Sequence, residues 1–167
     1  KAAIIKENEL VIRPEKVIDG AAEVERFKGA LAETIAQTET LAADLATRVG
    51  EKEAEIMQGH LMLLNDPMLT NEIESAITEF AIETVCTMYA DMFASMDDEL
   101  MQQRATDMRD IKVRLQQVLQ GVKPVDIAAL PEGSVIVAKD LTPSMTAGIN
   151  PANVAGIVTE MGGRTSH

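Results

Sequence analysis

The chain has 167 residues, 46% hydrophobic and 25% charged, with a formal charge of −12. So acidic a chain repels phosphate backbones, which argues against a nucleic-acid partner and favours a basic protein partner. Cys86 is the only cysteine, so no intrachain disulfide can form, and no run approaches the roughly 18 apolar residues of a membrane span.

The chain opens on Lys1-Ala-Ala-Ile-Ile-Lys, whose apolar run is far too short for a signal peptide. It reads as a strand already in progress, so a cytoplasmic chain, incomplete at its front and without a membrane partner, is expected. Residues 3–12 are strand material with a polar turn at Glu7-Asn8. From Asp19 to about Gly50, Val24, Phe27, Leu31, Thr34, Thr38, Leu41 and Leu45 recur in steps of three and four. Ile35 and Val49 widen that stripe, which has the period of one long amphipathic helix. Residues 51–64 form a second helix, with Ile56, Met57, Leu61 and Leu64 as its expected core. Gly59 weakens it by about 1 kcal/mol relative to Ala, and Asn65-Asp66-Pro67 ends it. A third helix runs from about Met68 to Phe80, and a fourth carries Ile82, Val85, Tyr89, Met92 and Met96. Ser95-Met-Asp-Asp then offers an N-cap with an acidic first turn. The fifth helix presents Met101, Arg104, Met108, Ile111, Leu115 and Val118 and stops at Gly121. Arg104 breaks the rule of that stripe, which should be apolar.

After Gly121 the texture changes to Pro124, Pro131, Gly133, Pro143, Gly148 and Pro151. Residues 134–138 and 156–159 are short buried-strand candidates with a helical turn between them. Aromatics are only 2% of the chain while methionines number ten, which suits helix-on-helix packing with Met filling irregular gaps. Strand, helical hairpins, then strand-helix-strand is the order of a helical bundle inserted into an α/β domain. The expected fold is mixed α+β, with residues 18–122 as the bundle and residues 1–17 and 123–167 as an incomplete α/β unit.

The sharpest chemical signal is Gly162-Gly-Arg-Thr-Ser-His167. Two glycines let the backbone turn tightly and approach a bulky group, and Thr165 or Ser166 could cap a helix starting at the histidine. A helix N-terminus there suits an attached phosphate. Imidazole, with an ordinary pKa of about 6.5, is largely neutral at pH 7 and can act as a nucleophile. On spacing alone the same segment also reads as a Gly-rich loop. Between residues 51 and 110 there are 14 acidic and 3 basic side chains. That excess is either a solvated surface or a docking face that steers a basic partner. Met62 and Leu63 fall off the expected core stripe and read as exposed apolar anchors ringed by Glu51, Glu55 and Asp66. His60 reads as a packing or hydrogen-bonding residue, and no pair of His or Cys has metal-ligand spacing.

Gly-Gly-Arg-Thr-Ser-His167 resembles the phosphohistidine signature of Enzyme I of the phosphoenolpyruvate-dependent sugar phosphotransferase system. Asp140-Leu-Thr-Pro-Ser-Met-Thr146 is similar to the family segment that approaches the active histidine. Gly59-His-Leu-Met-Leu-Leu and Arg104-Ala-Thr-Asp-Met-Arg-Asp110 resemble the domain that docks the phosphocarrier HPr, and Glu23-Val-Glu-Arg-Phe matches its first helix. The resemblance implies that His167 takes the phosphoryl group from phosphoenolpyruvate and hands it to HPr. It implies that Thr146 contacts the imidazole, and that HPr docks around Met62, Leu63, Asp66 and Arg104. Leu100 stands where the family commonly has tyrosine in that surface, and Met145 where it often has an acidic residue. Phosphoenolpyruvate and Mg²⁺ are implied to bind a separate carboxy-terminal domain through which the parent protein dimerises, so this chain alone should not use phosphoenolpyruvate. Two other readings stay open on the residues: the swivelling phosphohistidine domain of a dikinase or synthase, and a non-enzymatic helical adaptor.

Overall fold

A computed structural model describes residues 2–5, 10, 20–76 and 79–161. The expected turn at Glu7-Asn8 and the Gly162–His167 motif lie outside the described residues. The elements in order are β1 (Ala2–Ile5), α1 (Gly20–Arg48), α2 (Glu51–Leu64), α3 (Pro67–Ala76), α4 (Glu79–Ala94), α5 (Glu99–Leu119), β2 (Ser134–Ala138), α6 (Pro143–Gly148) and β3 (Val154–Thr159). The class is mixed α+β: mostly helical, with a small parallel sheet.

The 29-residue α1 buries Phe27, Ala30, Thr34, Thr38, Ala42 and Leu45. Thr34 and Thr38 are tolerated in this stripe because each hydroxyl donates to a carbonyl one turn back, Ala30 O at 2.8 Å and Thr34 O at 2.7 Å. The turn into α2 is made at Gly50, whose φ is 150°. A Cβ there would meet only the movable end of the Glu53 side chain, Oε2 at 2.8 Å, so it is the backbone conformation that calls for glycine. Asp66 and Pro67 start α3: Pro67 is its first residue, where a missing N–H costs nothing, and Asp66 Oδ1 accepts from Met68 N. Asp98 caps α5 by accepting from Met101 N at 2.9 Å. Gly121, at φ 64°, closes α5 in a Schellman arrangement, with Val122 N donating to Gln117 O and Gly121 N to Val118 O.

The main core joins all five long helices through Phe27, Leu64, Ile73, Ile82, Cys86, Met108, Ile111 and Leu115, among others. Several positions differ from the periodicity. Leu63 is buried in this core, not exposed, because α2 packs on both α1 and α5 and so hides a wider face than one stripe. Ile56 and Leu61 are only half-buried, while Met57 and His60 are fully covered. On α5 the stripe runs through Ala105, Met108, Ile111 and Leu115. Arg104 therefore sits one residue off the core, which resolves its anomaly. Met92, Met96 and Val49 are exposed. On α4 the buried set is Ala81, Ile82, Val85, Cys86 and Ala90.

Strands β1, β2 and β3 pair in that order, all parallel, with Ile5 opposite Ala138 and Val137 opposite Val158. The β2–α6–β3 crossover packs Ile5, Ile127, Ile136, Ala138 and Ile149 into a second core. A third cluster, Ala42, Leu45, Met57 and Ala147, joins α1 and α2 to α6.

Candidate functional site

A cleft of about 1070 Å³ runs between the helices and the sheet-side segment. Its floor is apolar, including Leu45, Ile56, Ala147, Ile149 and Ile157. Its charged groups are Lys52, Glu53 and Glu55 from α2 and Arg104 and Asp107 from α5. Leu100, Gln103, Arg104 and Asp107 recur at three- and four-residue steps, so one face of α5 lines this wall. Leu100 is 58% exposed there.

On the facing wall stands Thr146, half-buried, on the six-residue α6. Its Oγ1 donates to Thr142 O at 3.1 Å. Thr142 is itself the N-cap of α6, with Pro143 at the first helical position. The local sequence Thr-Pro-Ser-Met-Thr thus builds a helical turn that aims Thr146 at the cleft. Beyond β3, Glu160 N donates to Ala138 O and Met161 N to Lys139 O, so the chain stays paired past the end of β2. Ligand sites in parallel α/β sheets lie outside the carboxyl ends of the strands, and position 162 follows directly in sequence.

The structure brings Glu55, Leu100, Arg104 and Thr146 to one cleft. Met62, 64% exposed, follows Glu55 and Gly59 at four- and three-residue steps, extending that α2 face by one turn. Glu51 is exposed in the first turn of α2, and Asp66 lies beyond its other end. Leu63 belongs to the core and cannot serve as an anchor. His60 is fully buried, its Nε2 3.3 Å from Asp107 Oδ1, which ties α2 to α5. Sequence reasoning gave no role to Asp107, Asp110 or Arg48. The available signal was the pair of aspartates flanking the apolar Met108 on α5.

Residues 1–104 match the family described as PEP-utilising enzyme, N-terminal, and residues 130–167 match PEP-utilising enzyme, mobile domain. A solution structure of Enzyme I superposes with a TM-score of 0.86 at 35% identity, covering 100% of this chain and 71% of that one. The chain belongs to the Enzyme I family. A structure of the N-terminal domain of the nitrogen Enzyme 1 matches with a TM-score of 0.73 at 25% identity, over 99% of this chain and 71% of that one. Among curated Enzyme I relatives, the phosphoenolpyruvate-protein phosphotransferase of Listeria innocua is 40% identical over 173 residues, and that of Haemophilus influenzae 37% identical over 175. Each alignment takes in 100% of this chain but 30% of the relative, so the chain spans about a third of their length. No helix among the described residues is long and apolar enough to cross a membrane.

Proposed function

We propose that this chain is the docking and phosphohistidine part of a cytoplasmic phosphoenolpyruvate-protein phosphotransferase. Residues 18–122 serve as the HPr-binding bundle, and residues 1–17 with 123–167 as the unit carrying His167. In the first step an imidazole nitrogen of His167 attacks the phosphorus of phosphoenolpyruvate. A P–N bond forms, the P–O bond to the enol breaks, and the departing enolate takes a proton to become pyruvate. The histidine of HPr then attacks the same phosphorus and releases the His167 imidazole. Membership in the Enzyme I family supports this over a dikinase swivelling domain or an adaptor.

The observation that carries the proposal is the cleft with Thr146 on one wall and Leu100 and Arg104 on the other. With its own hydrogen given to Thr142 O, Thr146 Oγ1 can accept an N–H from an imidazole approaching that wall, fixing its ring. Exposed Met62 and Leu100, beside an acidic surface, suit a basic partner with an apolar centre. Mg²⁺ enters this reading only with phosphoenolpyruvate, on a carboxy-terminal domain that would also supply the homodimer contact. The test labels the intact phosphotransferase with phosphoenolpyruvate and Mg²⁺ and maps the label at alkaline pH. Label on His167, and none transferred by His167→Ala, is the expected result. Label on the buried His60, or full transfer by that variant, would sink the assignment.

A further inference from the structure

The short helix α6 is held at both ends by side chains from the bundle. At its start, Asp110 of α5 accepts from Ser144 N at 2.7 Å and from Ser144 Oγ at 2.8 Å. At its end, Arg48 of α1 donates to Ala147 O at 3.1 Å and to Ile149 O at 2.7 Å. Each charge faces the end of α6 whose unpaired backbone groups it complements, N–H groups for the carboxylate and carbonyls for the guanidinium. Asp110 is 3% exposed. Its contacts are charge-assisted and shielded, and these are the stronger hydrogen bonds. Arg48 is itself steadied by Asp44, 2.6 Å away one turn earlier on α1. Ala147, whose carbonyl takes one of the Arg48 bonds, is buried against Ala42, Leu45 and Met57.

This arrangement does more than join two parts of the molecule. α5 carries both Arg104, on the cleft wall, and Asp110, under α6. One rigid helix thus sets the position of the docking face and of the turn bearing Thr146. A joint needed only for cohesion could rest on the apolar cluster alone; burying a carboxylate costs free energy unless its partners are fixed. We propose that Asp110 and Arg48 are positioning residues for phosphoryl transfer, holding α6 so that Thr146 meets the imidazole in register with an acceptor docked on α5. The inference rests on the function proposed above.

The test compares wild type, Asp110→Asn, Arg48→Met and Ser144→Ala in the intact phosphotransferase. Single-turnover transfer from the phosphorylated enzyme to HPr should slow on the order of 10- to 100-fold, the usual effect of misplacing reacting groups by about 1 Å. HPr affinity by calorimetry should stay unchanged. Amide exchange should speed up at Ser144 and Ile149 while Met108 and Ile111 in α5 keep their protection. If Asp110→Asn loosens α5 as well, Ser144→Ala decides, since it removes one clamp bond and leaves Asp110 in place. Unchanged transfer, whether or not α6 exchange speeds up, would overturn the proposal, and so would a loss confined to HPr affinity. If wild-type label fell elsewhere than His167, the functional reading would fail by itself, and the exchange data would still report on the clamp.

Discussion

Met62 and Leu63 are neighbours of similar size on α2, yet the fold buries only one of them. Met62 is 64% exposed, whereas Leu63 is 7% exposed and packed in the main core. Leu63→Ala removes three buried carbons, worth about 0.8 kcal/mol each in transfer alone, and leaves a cavity that tight neighbours fill only in part. A total near 3 kcal/mol follows, which for a chain of this size lowers the Tm by roughly 6–12 °C. Met62→Ala removes surface already in water and should change stability by no more than about 0.5 kcal/mol. On the docking surface proposed above, losing this apolar side chain should weaken HPr binding by about 1 kcal/mol or more, roughly fivefold. Thermal unfolding followed by circular dichroism, with calorimetric titration of HPr, separates the two. A Leu63→Ala protein that melts with wild type would refute the burial argument. A Met62→Ala protein that binds HPr with full affinity would remove this turn of α2 from the docking surface. Leu63→Arg is a poor docking probe for the same reason: it forces a guanidinium into the core.

Glu83 supplies a pH test. Burial pushes its carboxyl up, but hydrogen bonds from Lys112, Gln116 and Thr87 and the Lys112 charge together outweigh that and hold it below its usual range. Its stabilisation is therefore full above the unfolded value of about 4.3 and is lost as pH falls through the lower folded value. The gap in urea midpoint between wild type and Glu83→Gln should shrink between about pH 6 and about pH 3; a constant gap would contradict the network. Burial pushes the Cys86 thiol up to about 12, with Glu83 adding to the shift and Lys112 opposing it. Labelling by a thiol reagent at pH 8 should wait for unfolding, so rapid labelling of native protein would show the α4–α5 core to be open.

The helices were legible because a three-four recurrence of apolar residues reports a local property, the pitch of the backbone. The stops at Gly50 and Gly121 were legible too, where φ turns positive; the cap of α5 was legible only as the segment Ser95–Asp98, in which the aspartate expected in the first turn, Asp98, is itself the cap. The family motifs likewise sat in the sequence as written, from Gly59–Leu64 to Arg104–Asp110, and they led to the right family. What periodicity could not settle was which way each face turned. A hydrophobic stripe specifies that a helix has a buried side, but its width depends on how many neighbours press on it. α2 packs on α1 and α5 at once, so Leu63 is covered along with Leu64 and His60. On α5 a shift of one residue, about 100° around the axis, exchanged Ala105 for Arg104 and put the arginine on the cleft wall. The cleft and the clamp on α6 join residues far apart in the chain, such as Arg48 with Ile149 and Asp110 with Ser144. No local pattern encodes such pairs; they exist only once α1, α5 and the β2–α6–β3 crossover have packed, because a hydrogen bond needs its atoms within about 3 Å and only the tertiary fold brings them there.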